Sequence, residues 1–279
     1  MSGESAEADR LFDVRDKTVA ITGGSGVLGC AMAQRLARAG MHVAVLGRRP
    51  TACDTVVDAI RADGGEAVAV VCDVLERESL RTAVERITAS LGPPDVLVNA
   101  AGGNRPEATT TAERSFFDLV PEDVAGVVDL NFLGTFLSCQ AFGRGMAERG
   151  EGCIVNIASM AAVRPLTRVA AYGAAKAAVV NLTRWLAVHM ATEYDPRIRV
   201  NAIAPGFFLT EQNRYLLTDA ATGEMTPRGR AILAHTPAGR LGAPEDLVGT
   251  LRWLIGPGAA FVTGVVVPVD GGFSAYAGL

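Results

Sequence analysis

At 279 residues, with 49% apolar and 20% charged side chains, the chain has ample material for a core and an ordinary globular balance. The net charge of −4 is interspersed, which argues against a basic nucleic-acid face, and no apolar run reaches about 18 residues, which argues against a membrane span. Five cysteines without C-x-x-C spacing and only three histidines argue against a zinc site and leave buried free thiols.

Residues 1–10 are small, polar and acidic and lack the apolar centre of a secretion signal, so they read as a loose tail on a cytoplasmic protein. Residues 17–22 form a short β-rich run followed at once by Gly23, Gly24, Ser25, Gly26, Val27, Leu28 and Gly29, and then by a helical pattern that stops at Gly40. Gly24, Gly26 and Gly29 fit G-x-G-x-x-G between strand and helix. Glycine is required there because a pyrophosphate must approach the backbone and sit on free N–H groups at the helix start; the plainer reading is an ordinary βα turn. Residues 42–46 are the second strand. At its end, where a carboxylate would hold adenosine ribose hydroxyls, stand Gly47, Arg48 and Arg49. A missing carboxylate and two guanidinium groups favour a 2′-phosphate, hence NADP over NAD, unless both arginines are merely solvated charges.

An amphipathic helix at 51–63 leads to a third strand at 67–71, with Asp73 and Val74 at its exit. The Asp73 carboxylate is placed to accept from an adenine amino group, or to cap a helix. A helix at 77–91 ends at Gly92-Pro93-Pro94, and a fourth strand at 95–98 runs into Asn99, Ala100, Ala101, Gly102 and Gly103, small residues that let a ligand come close. Polar residues 104–115 suit a substrate border. One long helix is expected over 121–148, with Asn131 inside it, either in a core hydrogen bond to backbone or functional. A fifth strand at 152–158 ends at Ser159, and a helix follows through Tyr172 and Lys176 to about residue 193.

Tyr172 and Lys176 are four residues apart, so a helix places them on one face. A phenol ionises near about pH 10, and an adjacent ammonium brings that value down, which suits proton exchange with an alcohol. Read alone, the pair is as compatible with an ordinary amphipathic helix. A sixth strand at 197–204 precedes Pro205 and Gly206. The irregular segment 206–242, with helical pieces at 211–217 and 227–234, reads as a lid over a substrate. A helix at 244–254 and a last strand at 261–269 close the chain. Strands alternating with helices predict a Rossmann-type doubly wound parallel sheet of about seven strands with helices on both faces, one domain over 11–279.

Taken together, Thr22-Gly23 to Gly29, Asp73, Asn99-Ala100-Ala101-Gly102, Asn131, Ser159, Tyr172 with Lys176, and Pro205-Gly206 resemble the short-chain dehydrogenase/reductases over nearly the whole chain. One departure from the family's T-G-x-x-x-G-x-G is Val27 at the penultimate glycine position. A narrower resemblance, to the D-mannonate oxidoreductase (fructuronate reductase) branch, lies in Ala101 to Asn104, Asn201 to Arg214, Ile232 to Pro237 and Val269 to Tyr276. That branch typically carries Asp where this chain has Gly47.

The resemblance implies a hydride-transfer enzyme. Tyr172 is its general acid or base. Lys176 lowers the phenol's pKa and holds the nicotinamide ribose, Ser159 bonds the carbonyl oxygen, and Asn131 positions a water that connects Lys176 to solvent. The cofactor is expected along residues 23–29, Arg48, Arg49, Asp73, Val74, Asn99 to Gly102, Pro205, Gly206 and Phe208. For a sugar acid, Arg105, Arg168 or Arg214 would meet the carboxylate, with Asn104, Gln212, Asn213 and His235 as hydroxyl partners; each is otherwise a surface group, and replacing Arg214 by Ala is expected to raise KM for uronates. The alternatives are another carbonyl substrate (a ketoacyl thioester, a steroid or a neutral sugar) or a nucleotide-sensing module without turnover. Neither nucleic acid, membrane nor metal is expected as a partner. The family likeness suggests a homotetramer or homodimer.

Overall fold

The computed structural model describes residues 10–210, 214–219 and 222–278. Seven parallel strands form one sheet: β1 (Thr18–Thr22), β2 (His42–Gly47), β3 (Ala67–Val71), β4 (Val96–Asn99), β5 (Gly152–Ile157), β6 (Ile198–Pro205) and β7 (Val266–Val269), in the order β3-β2-β1-β4-β5-β6-β7. The helices are α1 (Val27–Arg38), α2 (Pro50–Ala62), α3 (Arg77–Leu91), α4 (Pro121–Val128), α5 (Gly134–Arg149), α6 (Ala170–Glu193), α7 (Arg214–Leu217), α8 (Pro227–Ala234) and α9 (Asp246–Ile255).

Successive side chains on a strand point to opposite faces, and the sheet uses both. Val19, Ile21, Val43 and Val45 pack against α1, α2 and α9 through Met32, Leu36, Ile60 and Leu251. Ala20, Ala44, Leu46 and Leu97 face the other way, towards Leu80, Ile87, Phe142 and Met146 of α3 and α5. Burial on both faces is why these strands read as near-continuous apolar runs. Strand order reverses between β1 and β4, so the carboxyl ends of β1, β2 and β4 open a crevice where the connecting loops diverge.

Three sequence expectations need correction. The fourth strand starts at Val96; Asp95 before it still bonds Thr18 and Cys153 through its backbone at 2.9 Å each, and its Oδ2 accepts from the Thr18 N–H at 2.8 Å. The last strand covers only Val266–Val269. Gly264 turns with φ +75° and Phe261 lies fully exposed ahead of it; the Gly264 N–H and the Val265 carbonyl still bond β6 at 2.8 and 2.9 Å, but the regular ladder begins only at Val266. The long helix over 121–148 is interrupted by a π-helical turn at Asp129–Leu133, between α4 and α5. By length and composition the joined helix could cross a bilayer. Instead it packs within the fold, burying Val127, Asn131, Leu137, Ser138, Phe142 and Met146.

Candidate active site

A cleft of about 610 Å³ runs along the carboxyl edge of the sheet, from Ser25, Arg48 and Asp73 to Ser159, Tyr172 and Arg228. Its floor is the turn after β1. Gly23 adopts φ +66°, and a Cβ there would lie 2.7 Å from the Ala101 nitrogen. A Cβ on Gly29 would lie 2.2 Å from the Gly23 carbonyl oxygen, so the turn closes only on glycine at both positions. Gly26 caps α1, whose first turn carries no acidic side chain, leaving the positive end of the helix dipole facing the cleft. Val27 begins α1 and lines the cleft beside Leu28 without disturbing this turn, so its departure from the family pattern is absorbed locally. A backbone cradle that excludes Cβ atoms at the head of a twelve-residue helix fits a pyrophosphate.

At the outer end, Arg48 and Arg49 line the cleft and are exposed, their guanidinium groups showing no hydrogen-bond or ion-pair partner among the described residues. Asp73 and Val74 lie alongside; one Asp73 oxygen accepts from the Leu75 N–H at 3.0 Å, so the carboxylate also holds its own turn. Ala100, Ala101, Gly102, Pro205, Gly206 and Phe208 complete the lining on the sheet side. Asn99 does not join them. Its amide lies beneath the cleft in a buried polar chain, donating to Asn156 Oδ1 at 2.9 Å while Asn156 donates to Thr183 Oγ1 at 2.9 Å.

Beyond that lies a cluster of polar groups. Tyr172 stands in the first turn of α6 and Lys176 one turn later, as the spacing predicts. Ser159, at the end of the β5 exit, accepts from the Ala161 N–H at 3.1 Å and hydrogen-bonds the Tyr172 phenol. The Lys176 ammonium is buried and donates to the Ile157 carbonyl at 2.7 Å; it lies 5.8 Å from the Tyr172 ring centroid. Burial pushes the phenol above its ordinary value, partly offset by Ser159, and brings Lys176 down to about 8. The expected lowering of the phenol by its lysine is not what sets the direction in the cofactor-free protein, where desolvation outweighs the Ser159 hydrogen bond.

Asn131 sits in the π-helical turn, fully buried behind the lining. Its Nδ2 donates to the carbonyls of Gly103 (2.7 Å) and Val127 (2.8 Å), and its Oδ1 accepts from the Gly103 N–H at 3.0 Å. Both amide hydrogens are committed to backbone, so a water would find only the remaining lone pair of Oδ1. A Cβ on Gly102 would fall 2.6 Å from that Oδ1 and 3.2 Å from Lys176 Nζ; glycine there lets the two side chains converge.

The substrate candidates divide. Asn104 and Arg105 line the cleft. Arg168, Arg214 and His235 do not: all three are exposed away from it, Arg168 with φ +76° and His235 Nδ1 within 2.8 Å of the Ala231 carbonyl. Gln212 and Asn213 lie outside the described residues. Arg228, which no sequence motif singled out, reaches the cleft from α8 and donates to Thr167 Oγ1 at 3.0 Å and to its carbonyl at 3.2 Å. Only a long-range fold contact brings it there, so no local signal marks it.

A family model described as enoyl-(acyl carrier protein) reductase matches residues 25–274. The uncharacterized oxidoreductase UxuB of Bacillus subtilis is 49% identical over 272 residues, covering 94% of this chain and 96% of its own. Among solved structures, a Haemophilus influenza protein provisionally described as a D-mannonate oxidoreductase, with bound NAD, superposes with a TM-score of 0.89 at 42% identity, covering 96% of this chain and 98% of its own. A gluconate 5-dehydrogenase from Burkholderia cenocepacia, in complex with NADP and tartrate, gives 0.86 at 32%, covering 97% and 100%. The glycine cradle, the tyrosine–lysine turn and these likenesses agree: the chain belongs to the short-chain dehydrogenase/reductase family and is an NAD(P)-dependent oxidoreductase.

Proposed function

We propose that the enzyme interconverts a carbonyl and a secondary alcohol on a sugar acid of the D-mannonate/D-fructuronate type, preferring NADP. The observation that carries the substrate class is Arg105. Its guanidinium lines the cleft, is exposed, and has no hydrogen-bond or ion-pair partner among the described residues. An uncommitted planar cation beside a proton-transfer pair is suited to a carboxylate. Asn104 precedes it. Its Nδ2 donates to Thr109 Oγ1 at 2.7 Å and its buried Oδ1 lacks a partner among the described residues, acceptor capacity that a turn of the side chain would bring to a hydroxyl. The names of the Haemophilus and Burkholderia proteins, and the hydroxy acid held by the latter, support the same class. The cofactor preference rests on Arg48, Arg49 and the absence of a carboxylate at Gly47.

When bound, the nicotinamide supplies or accepts the hydride. Tyr172 Oη gives a proton to the substrate oxygen in reduction and takes it back in oxidation. Burial keeps the phenol protonated, which favours giving. The Ser159 hydroxyl, already bonded to Tyr172, stabilises negative charge as it grows on the oxygen. Lys176 holds its charge beside Tyr172 from a fixed seat on Ile157, and Asn131 ties the Gly103 loop to the helix behind it. The segment 206–242, latched by Arg228 to Thr167, acts as the lid.

Oxidation of NADPH and of NADH, followed by absorbance against keto-acids, neutral sugars and steroid ketones, tests this directly. Turnover confined to keto-acids and faster with NADPH is expected; turnover of steroid ketones with none of keto-acids would overturn it. The chain further fits self-association through α6. Exposed Trp185 and Tyr194 border a groove against α3 and α5 whose rim carries the Arg81–Glu85 ion pair and Arg144 with Glu148, a mixed-charge edge that a two-fold copy can match.

A further inference from the structure

Gly47 is the last residue of β2, the place from which a dinucleotide fold reads the adenosine ribose, and it lines the cleft between Leu46 and Arg48. The space in front of it is already taken. A Cβ built on Gly47 would stand 2.9 Å from Cys53 Sγ and 2.9 Å from Ser25 Oγ. The two differ in how they can respond: the half-buried Ser25 hydroxyl borders the open cleft and can turn into it about one bond, whereas the Cys53 thiol has no open space to turn into. Cys53 is completely buried in the first turn of α2, its amide bonded to the Arg49 carbonyl at 3.2 Å, and it packs in the core with Val56, Val57 and Ile60. Ser25 belongs to the glycine turn after β1, and its hydroxyl hydrogen-bonds the Cys53 thiol. The two side chains close the same gap from opposite sides, one from the phosphate turn and one from the helix after β2.

We infer that Cys53, with Ser25 closed against it, excludes any side chain at position 47, and with it the carboxylate that would read a ribose 2′-hydroxyl, so that Arg48 and Arg49 are the charged groups left to meet that hydroxyl's end of the cofactor. Cys53 is thus a positioning residue for cofactor choice: it touches no ligand, and acts by keeping position 47 glycine. The inference rests on the NADP reading given above, but its steric half is separable from it. A single exchange at position 47 is blocked by Cys53, whereas the same exchange with Cys53 shortened is accommodated once the Ser25 hydroxyl rotates aside.

The test is a double-substitution cycle read by binding rather than turnover. Dissociation constants for NADPH and NADH are measured by cofactor fluorescence, without substrate, for the wild type, Gly47→Asp, Cys53→Ala and the pair, alongside Tm. Gly47→Asp alone is expected to lose at least tenfold in NADPH affinity, gain none for NADH and melt lower. Adding Cys53→Ala is expected to restore Tm and raise NADH affinity at least tenfold over the single variant, inverting the preference. A Gly47→Asp enzyme that binds NADH as tightly as the double variant, with no loss in Tm, would overturn the inference. Gly47→Ala, which adds only the Cβ, reads the clash should the Asp variants not fold: its Tm falls, and Cys53→Ala restores it. Equal Tm losses from Gly47→Ala with and without Cys53→Ala would also overturn the inference. A wild type that prefers NADH would sink the NADP reading, while the Tm coupling would still report on the steric pair.

Discussion

Burial sets the charge states of the two groups that define the site. Lys176 is brought from 10.5 to about 8, so between those values the unfolded chain keeps a proton that the folded one has released. Stability therefore rises with pH across that window. Tyr172 acts oppositely: its raised value means the folded chain keeps its proton after the unfolded one begins to lose it near pH 10, so stability falls beyond there. Replacing Lys176 by Met should abolish the rise in Tm between about pH 8 and 10, read by thermal melts of the cofactor-free protein. An unchanged pH slope would show that the lysine is not held this way. Tyr172→Phe should lower kcat by roughly 10² to 10⁴ while leaving the NADPH dissociation constant within about twofold. Arg105 has a similar residue-level logic. A Cβ on Gly126 would lie 2.5 Å from Arg105 Nη1, so the guanidinium rests on a bare patch of α4. Gly126→Ala should shift it and raise KM for keto-acids several-fold, sparing neutral carbonyls, with Arg105→Ala raising it further. Equal losses on both substrate classes would count against a carboxylate contact.

At the scale of elements, the π-helical turn and the α8 segment stand out. The turn inserts extra backbone into what the sequence presents as one helix, and it presents Asn131 to the Gly103 loop. Replacing Asn131 by Leu removes three hydrogen bonds, two to Gly103 at the cleft and one to the buried Val127 carbonyl, which should cost about 1–3 kcal/mol where water does not replace the lost partner. Denaturant titration would register this as a lower midpoint with an unchanged slope. The α8 segment is tied across the cleft by Arg228 and Thr167. Arg228→Ala should speed hydrogen exchange in 225–234 without altering exchange in β5 or α6. The periodicity of 121–148 did not reveal the π turn, because one inserted residue shifts the apolar phase by a single position, which the mostly apolar run through 127–139 conceals. Arg228 was invisible for another reason: its partner Thr167 lies 61 residues away in sequence.

For the molecule as a whole, the two-faced sheet determines where everything else goes. Its reversal point opens the cleft, and α6 both supplies Tyr172 and Lys176 to the inside and offers Trp185 and Val188 to the outside. The self-association proposed for that outer face would link the site to a subunit contact through one helix. Trp185→Glu should reduce the mass measured by light scattering to that of a smaller species; an unchanged mass would place the contact elsewhere.

The sequence by itself determined the alternation of strands and helices, the glycine turn and the tyrosine–lysine spacing, because each is local: apolar runs, a steric demand for glycine, and one helical turn. It also placed α3 and α8 at their observed bounds. Only the tertiary structure decided which of several arginines face the cleft, that Asn99 lies beneath it, that the last strand's ladder starts only at Val266, and that burial raises the Tyr172 phenol. Those outcomes depend on which distant surfaces meet and how much water they exclude. A residue's spacing along the chain carries no record of either.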